Sequence, residues 1–248
     1  MLVILTADHC LLKGDNMDVA VREIQLASFL GDCPLFRGIT AEVLEYLSNN
    51  ARTVSTKRGG SIVTSRMEPV ALYLVMHGQV KLSILSSSGS ERVVNILSQG
   101  DSFGISSLFS GQPMTISAYA LNRCEVVELH KDAILSAVYR WPELSAALLQ
   151  HMGACLDNLY ADLESCCLKS ATQRVAGYLL KIAGEDLCGD KPREVVLPVS
   201  KSVVASSLDL TPETFSRELH RLSTRKLISV KHKNILISDI SGLQMLAE

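Results

Sequence analysis

Glu213, Ser216 and Arg217, in the segment TPETFSR, bring together a carboxylate acceptor, a hydroxyl and a guanidinium fork. On a helix the i, i+3, i+4 spacing sets all three on one face. At the leading end of a helix, that set can read the donor and acceptor pattern on base edges in a DNA major groove. The plainer alternative is a surface ion pair between Glu213 and Arg217. Such a pair is worth only about 0.3–0.5 kcal/mol. The surroundings decide between the two.

A reading face needs a helix with a fixed start and a packed back. Thr211 is a good N-cap and Pro212 suits the first helical position, so a helix is expected to begin there. The preceding run SKSVVASSLDL reads as a shorter helix joined to it by a tight turn. Val203, Val204 and Leu208 give the first helix an inner face, Ala205 permits a close crossing, and Leu210 fills the turn. Phe215, Leu219 and Leu222 form the inner stripe of the second, leaving Glu213, Ser216, Arg217, His220 and Arg221 turned outward. Two helices packed this way with a polar outer face make a helix-turn-helix. The base-reading set is then Glu213, Ser216 and Arg217. Lys201, Thr211, Thr214, His220, Arg221, Lys231, His232 and Lys233 are the candidates for the DNA backbone.

Charge is distributed in keeping with this. The 248-residue chain has a net charge of −2, yet residues 1–169 carry 13 Lys/Arg against 17 Asp/Glu and residues 170–248 carry 11 against 9. The positive excess lies with the reading helix, where Arg225 and Lys226 extend it. A composition of 47% hydrophobic and 20% charged residues is that of an ordinary globular protein. No apolar run approaches the roughly 20 residues of a membrane span. The apolar start MLVILTADHCLLKG is interrupted by Asp8 and His9 and lacks a basic leader, a poor fit to a secretory signal. Met17 can serve equally as a start, which would make residues 1–16 an extension. Seven scattered cysteines, an odd count without C-x-x-C spacing, point to reduced thiols and a cytoplasmic location.

Ahead of the reading region, residues 23–50 are helical in pattern, broken at Pro34, Gly38 and the cap Thr40. From Thr53 to Leu129, short alternating runs (SIVTS, ALYLVMHG, QVKLSIL, ERVVNIL, CEVVEL) sit between Gly-rich turns, the pattern of an antiparallel roll. A long helix is expected from Pro142 to Leu168. Along it Leu149, Met152, Leu156, Leu159, Leu163 and Cys166 recur at alternating spacings of 3 and 4, a heptad seam suited to a homodimer. Part of that stripe can instead pack on the chain's own roll. Lys169-Ser170 reads as a hinge, Ser170 caps a helix over Ala171–Ala183, and 194–199 reads as a strand. LISVK and NILIS after Leu222 form a wing. The expected fold is α+β: an extension (1–22), a β-roll sensor domain (23–140), a dimerisation helix and hinge (141–169), and a winged helix-turn-helix (170–248).

On these features the chain resembles the Crp/Fnr superfamily of transcription regulators, from about Phe29 to the C-terminus. The resemblance rests on G-x-V-K-L at Gly78–Leu82, G-D-x-F-G at Gly100–Gly104, the long helix and the winged end. TPETFSR and LKSATQRVAGYLL resemble the Fnr and dissimilatory nitrate-respiration (Dnr) branches, with Dnr the nearest. The resemblance implies a homodimer reading a palindrome similar to TTGAT-N4-ATCAA, with Arg217 on guanine, Glu213 on a cytosine amino group and Ser216 at the neighbouring step. It also implies activation by contact with RNA polymerase. The effector pocket would be at Phe103, Gly104, Ile105, Met114, Thr115 and His151.

Departures from the family pattern narrow the signal. Cyclic-AMP-binding members carry a Glu after the roll's Gly and an Arg-Ser pair further on; here Ile105 and Met114-Thr115 stand in those places. An anionic phosphate buried without a cation is costly, so cyclic nucleotide is not expected. Iron–sulfur members use clustered N-terminal cysteines, whereas this chain offers Cys10 and Cys33 far apart and Cys124 in the roll, so no cluster is expected either. The Dnr-like group implies nitric oxide sensing through haem, with His9, His77, His130 or His151 as candidate axial ligands. No other metal site is read. Cys166-Cys167 leaves a thiol-redox switch open, as it does an effector-independent regulator. An enzyme finds no support: GDSFG is similar to a hydrolase string but lacks the strand-to-helix context. A ligand-storage module without DNA binding would leave the basic C-terminal face unused.

Overall fold

In the computed structural model, residues 25–86, 89, 91–184 and 192–247 are described. The extension 1–22, and with it His9 and Cys10, lies outside them. Two compact units emerge: residues up to Lys81 together with Leu97–Ala154, and Leu82–Ile96 together with the chain from Cys155 onward.

The first unit opens with helix α1 (residues 25–32), a 3-10 turn at Pro34–Phe36 and α2 (Ala41–Asn49). Strands β1 (Ala51–Thr56), β2 (Ser61–Val63), β3 (Ala71–His77), β4 (Val80–Leu85), β5 (Glu91–Leu97) and β6 (Ser102–Phe103) follow in chain order. Helix α3 (Ile105–Ser110), strands β7 (Ser117–Ala120) and β8 (Cys124–His130), and α4 (Lys131–Arg140) complete the roll. One sheet has the order β1-β8-β3-β6, with β8 antiparallel to both neighbours, Val54 opposite Val126 and Leu74 opposite Val127. The other has the order β2-β7-β4-β5, and its last hairpin runs on into the second unit. Leu72, Leu74, Val127 and Leu129 from the first sheet meet Leu30, Phe36, Leu47, Ile134 and Leu144 in one core.

Two glycines show why the roll signatures take their form. Gly78 has φ +89°, and a Cβ there would come 2.5 Å from the Arg123 carbonyl oxygen. Gly104 has φ +93°, and a Cβ there would lie 3.2 Å from the carbonyl of Ala71. Both positions demand a backbone conformation that other residues rarely adopt.

Helix α5 runs from Pro142 to Leu168, as its periodicity predicts. Leu144 and Leu148 are buried and Met152 packs against the roll core. Leu149, Leu156, Leu159 and Leu163 are 69, 49, 61 and 60% exposed. The chain's own core therefore takes Met152 and leaves these four leucines bare.

The second unit contains α6 (Ala171–Ala183), β9 (Arg193–Val196), α7 (Lys201–Ser207), α8 (Pro212–Thr224), β10 (Ile228–Lys231), β11 (Asn234–Ile237) and α9 (Ile240–Ala247). Ser170 Oγ accepts from the Gln173 amide at 3.3 Å, and the Ser170 amide donates to Gln173 Oε1 at 2.8 Å, a capping box. The wing is a three-stranded antiparallel sheet of order β10-β11-β9. The buried residues of this unit include Val175, Leu179, Val204, Phe215, Leu219, Leu222, Ile235, Ile237 and Leu243. Sequence periodicity misses α3, α4 and α9. Helix α3 is a six-residue helix with left-handed glycines at both ends, too short to show a period.

Candidate nucleic-acid interface

Helix α8 starts where its residue types require. Thr211 has extended backbone angles, its Oγ1 accepts from the Thr214 amide at 3.2 Å, and Pro212 occupies the first turn. Phe215, Leu219 and Leu222 are all buried, so amphipathicity fixes which side faces out. Glu213, Ser216, Arg217, His220 and Arg221 are exposed. The Glu213 carboxyl is held below the usual carboxylate range by a hydrogen bond from its own backbone N–H, then by the Thr211 hydroxyl, with Arg217 adding to both. It is thus an ionised acceptor. Arg217 Nη2 donates to Thr214 Oγ1 at 3.0 Å, so Thr214 orients the guanidinium. A shallow concavity of ≈ 570 Å³ along this face is lined by Ser216, Arg217, His220, Arg221, Thr224 and Arg225.

Neighbouring elements fix the helix from behind. Ser200 caps α7, and Lys201 follows it, half-buried. The turn between α7 and α8 passes through Asp209 at φ +55°. Arg174 of α6 holds that turn: its Nη1 donates to the Leu208 carbonyl at 2.8 Å and the Asp209 carbonyl at 3.3 Å, and lies 3.6 Å from the Asp209 carboxylate. Arg92 adds a second cation 3.4 Å from that carboxylate, and its Nη2 donates to Cys166 Sγ at 2.8 Å. Val93 N donates to Ser206 Oγ at 3.0 Å. On the other flank Thr172 Oγ1 donates to Glu218 Oε2 at 2.6 Å. Arg174, Arg92, Thr172 and Glu218 escape sequence reasoning. Only Thr172 and Arg174 carried any signal, as part of the stretch LKSATQRVAGYLL. Lys231, His232 and Lys233 are exposed at the wing turn, where His232 has φ +57°.

The candidate effector residues are arranged otherwise. Phe103, Ile105 and Met114 are buried, with Tyr73 stacked on Phe103 at 4.9 Å between ring centroids; Thr115 is exposed. His151 is half-buried, and its Nε2 lies 3.0 Å from Ser102 Oγ. His77 and His130 are exposed. A haem bound through His151 Nε2 would have to displace Ser102 Oγ from it. The residues as arranged do not fit that group. Cys33 and Cys124 are buried, their thiols donating to the carbonyls of Phe29 and Gln79 at 3.3 and 3.0 Å. Burial pushes the Cys33 thiol up to about 12.

Two family models match the chain. Residues 53–140 match the cyclic nucleotide-binding domain and residues 173–246 the Crp-like helix-turn-helix domain. A solved structure from Ruegeria pomeroyi, described as a candidate cyclic nucleotide binding protein, is 30% identical; the match covers 90% of this chain and 96% of that one, with a TM-score of 0.59. The chain belongs to the Crp/Fnr family. As a Crp/Fnr protein it is a DNA-binding transcription regulator. The CRP-like cAMP-activated global transcriptional regulator of Mycobacterium tuberculosis is 26% identical over 84% of this chain and 94% of its own length. FixK2 of Bradyrhizobium japonicum, 23% identical, shares the fold with a TM-score of 0.70 over 80% of this chain and 98% of its own. Among the described residues, no helix is long and apolar enough to cross a membrane.

Proposed function

We propose that this Crp/Fnr regulator acts in the cytoplasm as a homodimer that reads a palindrome similar to TTGAT-N4-ATCAA, as in the Dnr branch. The observation that carries the reading is the exposed triad Glu213, Ser216 and Arg217 on the capped first turns of α8. Arg217 bonds guanine O6 and N7, Glu213 accepts from a cytosine amino group, and Ser216 serves the neighbouring step. Lys201, Thr211, Thr214, His220 and Arg221 meet phosphates around the groove, with Lys231, His232 and Lys233 at the wing. The bare leucines Leu149, Leu156, Leu159 and Leu163 support pairing of α5 with a second copy, continuing toward Cys166. Two reading heads then meet half-sites about one helical turn apart. Activation through RNA polymerase is carried by family likeness alone.

The roll, on this proposal, answers a signal other than cyclic nucleotide. The mycobacterial relative is described as cAMP-activated, but here buried Ile105 and Met114 and the neutral Thr115 stand where the family's Glu and Arg-Ser would hold the ligand. Nitric oxide through haem is what the Dnr likeness implies, and the contact of His151 Nε2 with Ser102 Oγ does not favour it.

A mobility-shift titration tests the reading with three duplexes: the palindrome, a single half-site and a scrambled sequence. The palindrome is expected to bind tightest. Arg217→Ala is expected to cost about 1–3 kcal/mol on it and to relax selection at the guanine. Equal affinity of the unaltered protein for palindrome and scrambled duplex would falsify the readout assignment.

A further inference from the structure

Glu218 is acidic and sits on the reading helix of a DNA-binding head, where its charge should repel phosphates. Its side chain is nevertheless only 15% exposed, because it turns toward the start of α6. There Thr172 Oγ1 donates to Glu218 Oε2 at 2.6 Å. Arg221 Nη1 in turn donates to the same Thr172 oxygen at 3.3 Å and lies 3.9 Å from the Glu218 carboxylate. Thr172 is the second residue of α6 after its cap Ser170, so the carboxylate lies near the positive end of that helix dipole. Arg221 lies in the last turn of α8, the end that favours a cation. One hydroxyl thus donates to an acid and accepts from a base, joining two helices.

We infer that Thr172 and Glu218 are positioning residues for Arg221, holding its guanidinium for one DNA phosphate and thereby fixing the register of the reading helix on the duplex. The inference rests on the DNA reading proposed above. An Arg side chain is rich in rotamers and loses that freedom on ordering. Here the ordering is completed before DNA arrives, since Nη1 is tied back while the side chain remains 55% exposed. Phosphate contacts carry no sequence information but set where the base-reading groups fall. The acid on the reading helix therefore aids binding, because its charge is spent on Arg221 and the α6 terminus.

Thr172→Val tests this without changing charge. It is expected to weaken palindrome binding about threefold to tenfold, the worth of one hydrogen bond, and to flatten the salt dependence. Thr172→Ser, which keeps the hydroxyl, should restore both. Arg221→Ala should lower the slope of log affinity against log salt by about 1 per half-site. In the Arg221→Ala background, Thr172→Val should change neither affinity nor slope. Loss of affinity by Thr172→Val that persists in that background would overturn the inference, showing a role unconnected with Arg221. So would Glu218→Gln tightening palindrome and scrambled duplex alike, since the carboxylate would then be a simple repulsive charge. Failure of the base-reading proposal is distinct: the unaltered protein would show no preference for the palindrome.

Discussion

The outer face of α8 and the candidate effector positions of the roll were read from the same chain, yet they sit in opposite physical settings. On α8, packing is carried by Phe215, Leu219 and Leu222, and the residues between them are left to face solvent. In the roll, Phe103, Ile105 and Met114 are themselves core residues, 4, 7 and 2% exposed. A polar side chain excused from packing displays its chemistry in the sequence. An apolar side chain that fills a core displays only that it fills a core. Apolar residue types there carry no donor or acceptor that would name a ligand.

The largest effect that would sharpen this contrast is Phe103→Ala. Removing a buried, stacked ring is expected to cost about 3–5 kcal/mol, read by thermal or urea unfolding. The protein that remains folded should keep its preference for the palindrome over scrambled DNA. Loss of preference with unchanged stability would break the comparison, because Phe103 would then be a signalling residue first and a packing residue second.

Thr211→Ala is the matching change in the reading head and is smaller. Loss of the N-cap is expected to lower stability by about 1 kcal/mol. The same hydroxyl hydrogen-bonds the Glu213 carboxylate and so helps fix where it points. Selection at the cytosine position should therefore weaken more than selection at guanine, measured with singly substituted duplexes. Equal weakening at every position would assign Thr211 to phosphate contact alone.

Much of the reading head was legible because its signals are local. Thr211-Pro212 announces a helix start, Ser170 marks the cap of α6, and the stripe at Phe215, Leu219 and Leu222 repeats at helical spacing. What was not legible depends on partners distant in sequence. Arg174 meets Leu208 and Asp209, Arg92 meets Cys166 and Asp209, and Thr172 meets Glu218, pairings that only the fold creates. The same holds for Met152, whose heptad spacing marks a seam but whose side chain packs on the roll core. Spacing shows that a stripe is apolar and leaves open what covers it.

The smallest effect concerns pH and belongs to the roll. Burial pushes the His151 imidazole below its ordinary value of 6.5, and the nearby Asp101 carboxylate opposes this only in part. The folded state therefore prefers neutral His151. As pH falls through about 6.5, the unfolded chain takes up this proton before the folded one does, so the equilibrium shifts toward unfolding. The stability of the roll should be fully present above that pH, decline below it, and level off once pH passes the lowered folded value. Unfolding midpoints at about pH 7.5 and pH 5.5 measure the decline, and His151→Gln should shrink it while keeping a partner for Ser102. An unchanged pH profile in that variant would assign the decline to other groups. A shrunken one would make His151 a polar group whose state is set by its burial, the reverse of Glu213, whose carboxyl is lowered by hydrogen bonds at an exposed helix start.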